Sequence, residues 1–321
     1  MATPQGVDTL TSLSRRILRE EATDVYYLGS PMTARLFHLD KVKRRGGTHI
    51  ESRFIYQPWA TGGPFYGPEV LDVSPSDPEI SGAWDWKEYE TNVTLTQRDL
   101  IRADSPLAVA NLVVELSEIA KMDLKDKIAT GIWSDGSNWK AIDGLYEICD
   151  TGVYAANYAG LSRSTYPFLK CQSDTTTTSL SVGALNTVWD NCTKGARAPQ
   201  ITCSTRANLT RYENLAQAQV QIQQPINAID QTFASLGFSG GWYRNQPWLV
   251  DEHISTSGTE GNLFFFNEDY FELIVNENGD FVVGDFQQPV NQFSITSLTY
   301  VALNLICTNP QLQGKFTALA A

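Results

Sequence analysis

A serine, an aspartate and a histidine stand near one another in the second half of the chain. Gly237-Phe238-Ser239-Gly240-Gly241 matches the G-x-S-x-G pattern of a nucleophile elbow, and Asp251 and His253 follow shortly after. An elbow needs a strand before the serine and a helix after it, so that the hydroxyl stands exposed for a histidine from farther along the chain. Trp242-Tyr243-Arg244-Asn245-Gln246-Pro247 is no helix start, and a histidine so close in sequence departs from the usual order. Serine hydrolysis is a remote alternative, and no catalytic residue is expected.

Metal chemistry fares no better. His38, His49 and His253 are too scattered for a three-histidine site. Asp135-Gly136 and Asn276-Glu277-Asn278-Gly279-Asp280 resemble calcium loops but lack the closing glutamate, and turn chemistry explains both. Cys149, Cys171, Cys192, Cys203 and Cys307 are odd in number and contain no CxxC pair, so they read as small core residues. No metal and no cofactor is expected.

The elements that would position any site follow from composition and pattern. With 321 residues, 42% hydrophobic and 19% charged, the chain can bury a core as one or two domains. No run of about 18 apolar residues is present to span a bilayer. Met1-Ala2-Thr3-Pro4-Gln5 lacks a basic flank before an apolar core, so synthesis in the cytosol is expected. The sequons at Asn92, Asn191 and Asn208 are then chance matches. A net charge of −12 argues against a protein built to grip nucleic acid. Basic residues nevertheless cluster at Arg15, Arg16 and Arg19 and again at Lys41, Lys43, Arg44 and Arg45. A solvated face or an acidic neighbour accounts for these better than a nucleic-acid patch.

Val7, Leu10, Leu13, Ile17 and Leu18 recur at helical spacing behind the possible cap Asp8, predicting a short amphipathic helix followed by an arm. Residues 48–56 alternate as a strand. Pro58 to Gly82 is then studded with glycine and proline yet carries Trp59, Phe65, Tyr66, Val70, Leu71 and Ile80. Such a stretch cannot be one helix or strand, and its apolar side chains need cover, which another subunit would supply. Residues 84–95 have strand character, so the excursion reads as a two-stranded finger with an irregular tip.

The strongest helix opens at Asp104-Ser105-Pro106, with Val109, Val113, Leu116, Ala120, Leu124 and Ile128 along one stripe. From about residue 150 strands and helices alternate. A helix around Leu185, Val188, Trp189 and Cys192 ends at Gly195. A strand at residues 200–203 precedes a helix capped by Ser204, so helices packed on a sheet are expected. Residues 263–266, 271–275 and 297–307 read as strands, and Asn278-Gly279 as a hairpin turn.

Several stretches, in this order, resemble the Hong Kong 97-type major capsid proteins of tailed bacteriophages: Gly46-Gly47-Thr48-His49-Ile50-Glu51, Trp84-Asp85-Trp86-Lys87-Glu88-Tyr89, Ala129-Thr130-Gly131-Ile132-Trp133-Ser134-Asp135-Gly136, Ala141-Ile142-Asp143-Gly144-Leu145, residues 158–166 and residues 307–315. The resemblance implies an α+β Hong Kong 97-like capsid fold: an N-terminal arm (1–47), an extended β-hairpin loop (48–98), a peripheral domain with a long spine helix (99–148), an α/β axial domain (149–285), and a return strand to the peripheral domain with the C-terminus (286–321). It also implies self-assembly into the hexamers and pentamers of an icosahedral phage head around double-stranded DNA, with assembly in the host cytoplasm. The partners it implies are further copies of the chain, a portal, a separate scaffolding protein and decoration proteins.

The candidate inter-subunit contacts are Arg15, Arg16, Arg19, Lys43, Arg44, Arg45, Trp59, Phe65, Tyr66, Trp84 and Trp86. Some relatives crosslink their shells through a lysine on the extended loop. No lysine stands here between Lys43 and Lys87, so a non-covalent shell is expected. An encapsulin-like compartment, sharing the fold but holding an enzyme cargo, is the nearer alternative.

Overall fold

The computed structural model describes residues 30–38, 41–59, 61–71, 74–102, 106–217, 241–255, 262–290, 292–317 and 319. The helix expected over residues 7–18, the cap Ser105 and most of the G-x-S-x-G motif lie outside them. In chain order come α1 (Pro31–His38), β1 (Val42–Arg45), β2 (Ile50–Ile55), β3 (Glu79–Trp84), β4 (Lys87–Thr96), α2 (Gln97–Arg102) and α3 (Pro106–Ile132). Next are α4 (Leu145–Ile148), β5 (Asn157–Tyr158), β6 (Leu161–Ser162), β7 (Gln172–Asp174), α5 (Val182–Cys192), β8 (Ile201–Ser204) and α6 (Arg206–Gln217). The chain closes with β9 (Gly241–Tyr243), β10 (Gln246–Val250), β11 (Leu263–Phe266), β12 (Phe271–Asn276), β13 (Val282–Val283), β14 (Ser294–Cys307) and β15 (Gly314–Phe316).

The first sheet is built around β14. Ten residues of β4 pair antiparallel with it, from Lys87 opposite Leu303 to Thr96 opposite Ser294. β12 and β13 take its other edge, and β1 lies parallel on β12. The 27-residue α3, about 40 Å long at 1.5 Å per residue, lies along β4. Its expected stripe is what packs: Val113 and Ala120 meet Val93, Leu95 and Phe286, while Leu124 and Ile128 join the main core. The apolar stripe positions α3 along β4 because burying it removes several aliphatic side chains from water.

The second sheet runs in the order β7-β15-β11-β8-β10-β9. Its β11 is Leu-Phe-Phe-Phe, and alternation sends these side chains to two cores. Phe265 packs edge-on to Trp189 of α5 at 5.2 Å, whereas Phe264 and Phe266 meet Trp133 from the end of α3 at 5.5 and 6.1 Å. A strand buried on both faces lies between helical layers, as the alternating elements predict.

Five local expectations change. The stretch expected to be an arm includes α1, whose Met32, Ala34 and Leu36 are buried, and β1, a sheet strand; periodicity over eight residues is too short to announce such a helix. The finger's return limb is β3, not the later β4, which belongs to the first sheet. Asn278-Gly279 makes no hairpin: β12 and β13 follow one another along the same edge of β14, and Ala302 N–H donates to Gly279 O at 2.9 Å, so the extra residues bulge. Ser204 ends β8 and its hydroxyl accepts from Trp248 Nε1 at 2.7 Å, leaving Thr205 to precede α6, while Gly195 sits in the tight turn from Lys194 to Arg197 instead of capping α5.

Candidate assembly surface

The hairpin of β2 and β3 is fixed at its base and bare at its tip. Six residue pairs join the strands, from Ile50 opposite Trp84 to Ile55 opposite Glu79. At the base Phe54, Trp84, Phe168 and Tyr158 form a chain of ring contacts 5.7–5.9 Å apart, with Trp84 edge-on to both Phe54 and Tyr158. Gly82 lies beneath these rings, where an added Cβ would come within 2.6 Å of Phe54 and 2.8 Å of Ala159. Ala83 N–H donates to Ala159 O at 3.0 Å, and Trp86 Nε1 donates to Gly47 O at 2.9 Å.

Beyond Tyr56, whose hydroxyl donates to Asp77 O at 3.0 Å, regular pairing ceases. The apolar residues there face water: Trp59 is 61% exposed, Phe65 66%, Tyr66 87% and Val70 100%. The proline and glycine content that denies this stretch a strand also denies it a core of its own. An anchored hairpin with an uncovered aromatic tip suits contact with another molecule.

The other candidate residues separate sharply. Trp84 is only 3% exposed and is enclosed by its own chain, so it is corrected from a surface contact to a core anchor. Period-two alternation through Ile80, Gly82 and Trp84 carries that signal. Trp86 is partly buried and committed to Gly47. The basic run is matched within the chain: Lys43 pairs with Glu272 at 2.5 Å, Arg44 with Asp280 at 2.8 Å, and Arg45 with Glu272 at 3.5 Å. These three cations lie on β1 beside acidic residues of β12 and the bulge after it, so they are not a free basic patch. Arg15, Arg16 and Arg19 lie outside the described residues.

Sequence reasoning also missed a buried polar network where α3, the loop after it and β14 converge. Asn304 Nδ2 donates to Asp143 at 2.8 Å and to Asp85 O at 2.9 Å, and Lys87 stands 3.4 Å from Asp143. Burial raises Asp143, and burial together with the Asp143 charge pushes Glu147 up to about 7. Its members are distant in sequence, which is why no motif announces them.

The serine-hydrolase geometry is not met by the described residues. Gly241 and the residues after it form the β9–β10 hairpin where an elbow requires a helix. His253 lies between Asp251 and Asp126, at 3.1 and 3.2 Å, so both ring nitrogens face carboxylates. All five cysteines are buried, and desolvation drives their thiols upward, Cys171 and Cys307 to about 12, which keeps them unreactive. Among the described residues no cluster of three metal-ligating side chains and no helix long and apolar enough to cross a membrane occurs.

No protein-family model matches the sequence, and no curated protein matches it. Solved structures do match over nearly the whole chain. The cyanophage A-1(L) capsid asymmetric unit is similar with a TM-score of 0.62 at 11% identity, covering 94% of this chain and 93% of that one. Mycobacterium phage Ogopogo gives 0.55 at 10% identity, with 90% and 92% covered. The holo-SrpI encapsulin complex from Synechococcus elongatus PCC 7942 gives 0.54 at 8% identity, with 87% and 85% covered. The chain thus has the α+β fold of tailed-phage capsid proteins, the Hong Kong 97 type.

Proposed function

We propose that this chain is the major capsid protein of a tailed phage, a structural subunit with no catalytic role that assembles into hexamers and pentamers of an icosahedral head. The observation that carries the reading is the hairpin, whose base is locked into the core while Trp59, Phe65, Tyr66 and Val70 remain exposed. Surface of this kind is stabilised when a neighbouring copy covers it, and repetition of one such contact around a ring and between rings closes a shell. The likeness to phage capsid structures supports the same reading.

In this reading residues 1–47 are the arm region, rooted by α1, and residues 48–98 contain the extended loop and its return into the first sheet. Residues 99–148 form the peripheral domain with α3 as spine. Residues 149–285 form the axial domain around the fivefold and sixfold centres, and residues 286–321 return to the peripheral domain. The shell is held without covalent crosslinks, because no lysine stands on the hairpin. With a net charge of −12 and Lys43, Arg44 and Arg45 paired internally, it encloses double-stranded DNA without gripping it. A portal, a separate scaffolding protein and decoration proteins are further partners in the reading, with assembly in the host cytoplasm.

The encapsulin-like reading draws on the likeness to the encapsulin complex. Particles purified from cells separate the two. Nuclease-protected DNA supports the phage head, and one enzyme bound inside in fixed stoichiometry supports the compartment.

A further inference from the structure

The far end of the long helix is fastened to the second sheet through one imidazole. His253 lies three residues beyond β10, with Nδ1 3.1 Å from Asp251 Oδ1 and Nε2 3.2 Å from Asp126 Oδ1 on α3. The same Asp251 oxygen accepts from the His253 backbone N–H at 3.0 Å. The other oxygen of Asp251 accepts from Ser30 Oγ, immediately before α1. One carboxylate–imidazole–carboxylate chain therefore links α1, the end of β10 and the last turns of α3. We propose that His253 is a proton-operated latch, closed on Asp126 when the ring is cationic and open when it is neutral.

The two arms of the latch are unequal. An imidazolium donates from both nitrogens, whereas a neutral ring donates from one. The Asp251 carboxylate is fully buried and the Asp126 carboxylate is 76% exposed, so only Asp126 can turn to water when a bond is lost. The remaining proton therefore stays on Nδ1 against Asp251. The Nε2 lone pair then faces the Asp126 carboxylate, and an attraction becomes a repulsion between acceptors.

The other groups near the ring leave this balance in place. Glu252 adjoins it in sequence, and Lys125 and Lys127 flank Asp126 on α3, with Lys127 held by Asp123 at 2.7 Å. The Tyr146 hydroxyl accepts from Ser255 N–H at 2.6 Å, and Arg35 of α1 is occupied by Glu268. The hydrogen bond to Asp251 raises the ring's pKa, burial opposes it, and Asp126 adds to the rise. The latch is thus fully closed below the ordinary histidine value of 6.5 and opens as pH rises through the raised value.

Hydrogen exchange by mass spectrometry on the unassembled chain tests this whether or not shells form. After correction for intrinsic rates, peptides covering 122–132 and 250–255 are expected to exchange about tenfold faster near pH 9 than near pH 6, the effect of losing one charge-assisted hydrogen bond. His253→Gln is expected to exchange fast at both values. Asp126→Asn, whose amide can donate to a neutral Nε2, is expected to stay slow at both. Wild-type rates that do not change between the two pH values would overturn the latch, as would an unchanged acceleration in His253→Gln.

Discussion

Trp84 and Phe54 meet edge to face across the hairpin, ring centroids 5.9 Å apart at 62°, and this contact roots the exposed finger in the body of the molecule. Trp84→Ala should therefore act on stability, lowering it by about 3–5 kcal/mol through lost burial and the cavity left behind. The indole N–H has no hydrogen-bond partner among the described residues, so Trp84→Phe should cost clearly less. Urea denaturation of both variants measures this. Equal losses would mean that Trp84 is held by something other than packing.

The tip should behave in the opposite way. Replacing Trp59, Phe65 and Tyr66 together with aspartate removes no contact in the core, so the unfolding midpoint should move by less than about 1 kcal/mol equivalent. The same variant should fail to form large particles in light scattering. Normal assembly by this variant would show that the exposed aromatics are not the interface.

Gly144 packs against the backbone N, Cα and O of Ser134, so an added methyl would strike atoms that cannot rotate away. Gly144→Ala should cost about 1–3 kcal/mol, as overpacking does. Gly183, with open space around it, is the matched control on α5. Thermal unfolding of the two variants side by side should show a loss at position 144 and none comparable at position 183.

Glu147 gives stability a pH dependence. Its carboxyl keeps its proton to about pH 7 in the folded chain, against 4.5 ordinarily, so the folded state binds more protons between those values. Stability from this group is fully present below about 4.5 and falls as pH rises toward 7, by on the order of 3 kcal/mol in total. Glu147→Gln should flatten that slope and be the more stable protein at pH 8. Denaturation curves at pH 5 and pH 8 with parallel slopes in both proteins would contradict this origin.

What the sequence announces here is periodicity and punctuation. The stripe from Val109 to Ile128 identifies α3, and the prolines and glycines between Pro58 and Gly82 identify an irregular tip whose aromatics lack cover. What it conceals depends on distant pairing. Lys43, Arg44 and Arg45 look like a free basic run until β12 brings Glu272, and the bulge beyond it Asp280, alongside. Asn278-Gly279 has hairpin chemistry, yet β14 is long enough to hold both β12 and β13 on one edge, and the turn becomes a bulge. The link from Ser30 through Asp251 and His253 to Asp126 joins a pair two residues apart to two positions far from it and from each other.

Electron microscopy of the chain expressed in a bacterial cytosol, alone and with a candidate scaffolding protein, tests shell formation most directly. Closed particles showing rings of five and six subunits are expected in at least one of the two conditions. A well-folded monomer in both would contradict the assignment of this chain as a capsid subunit.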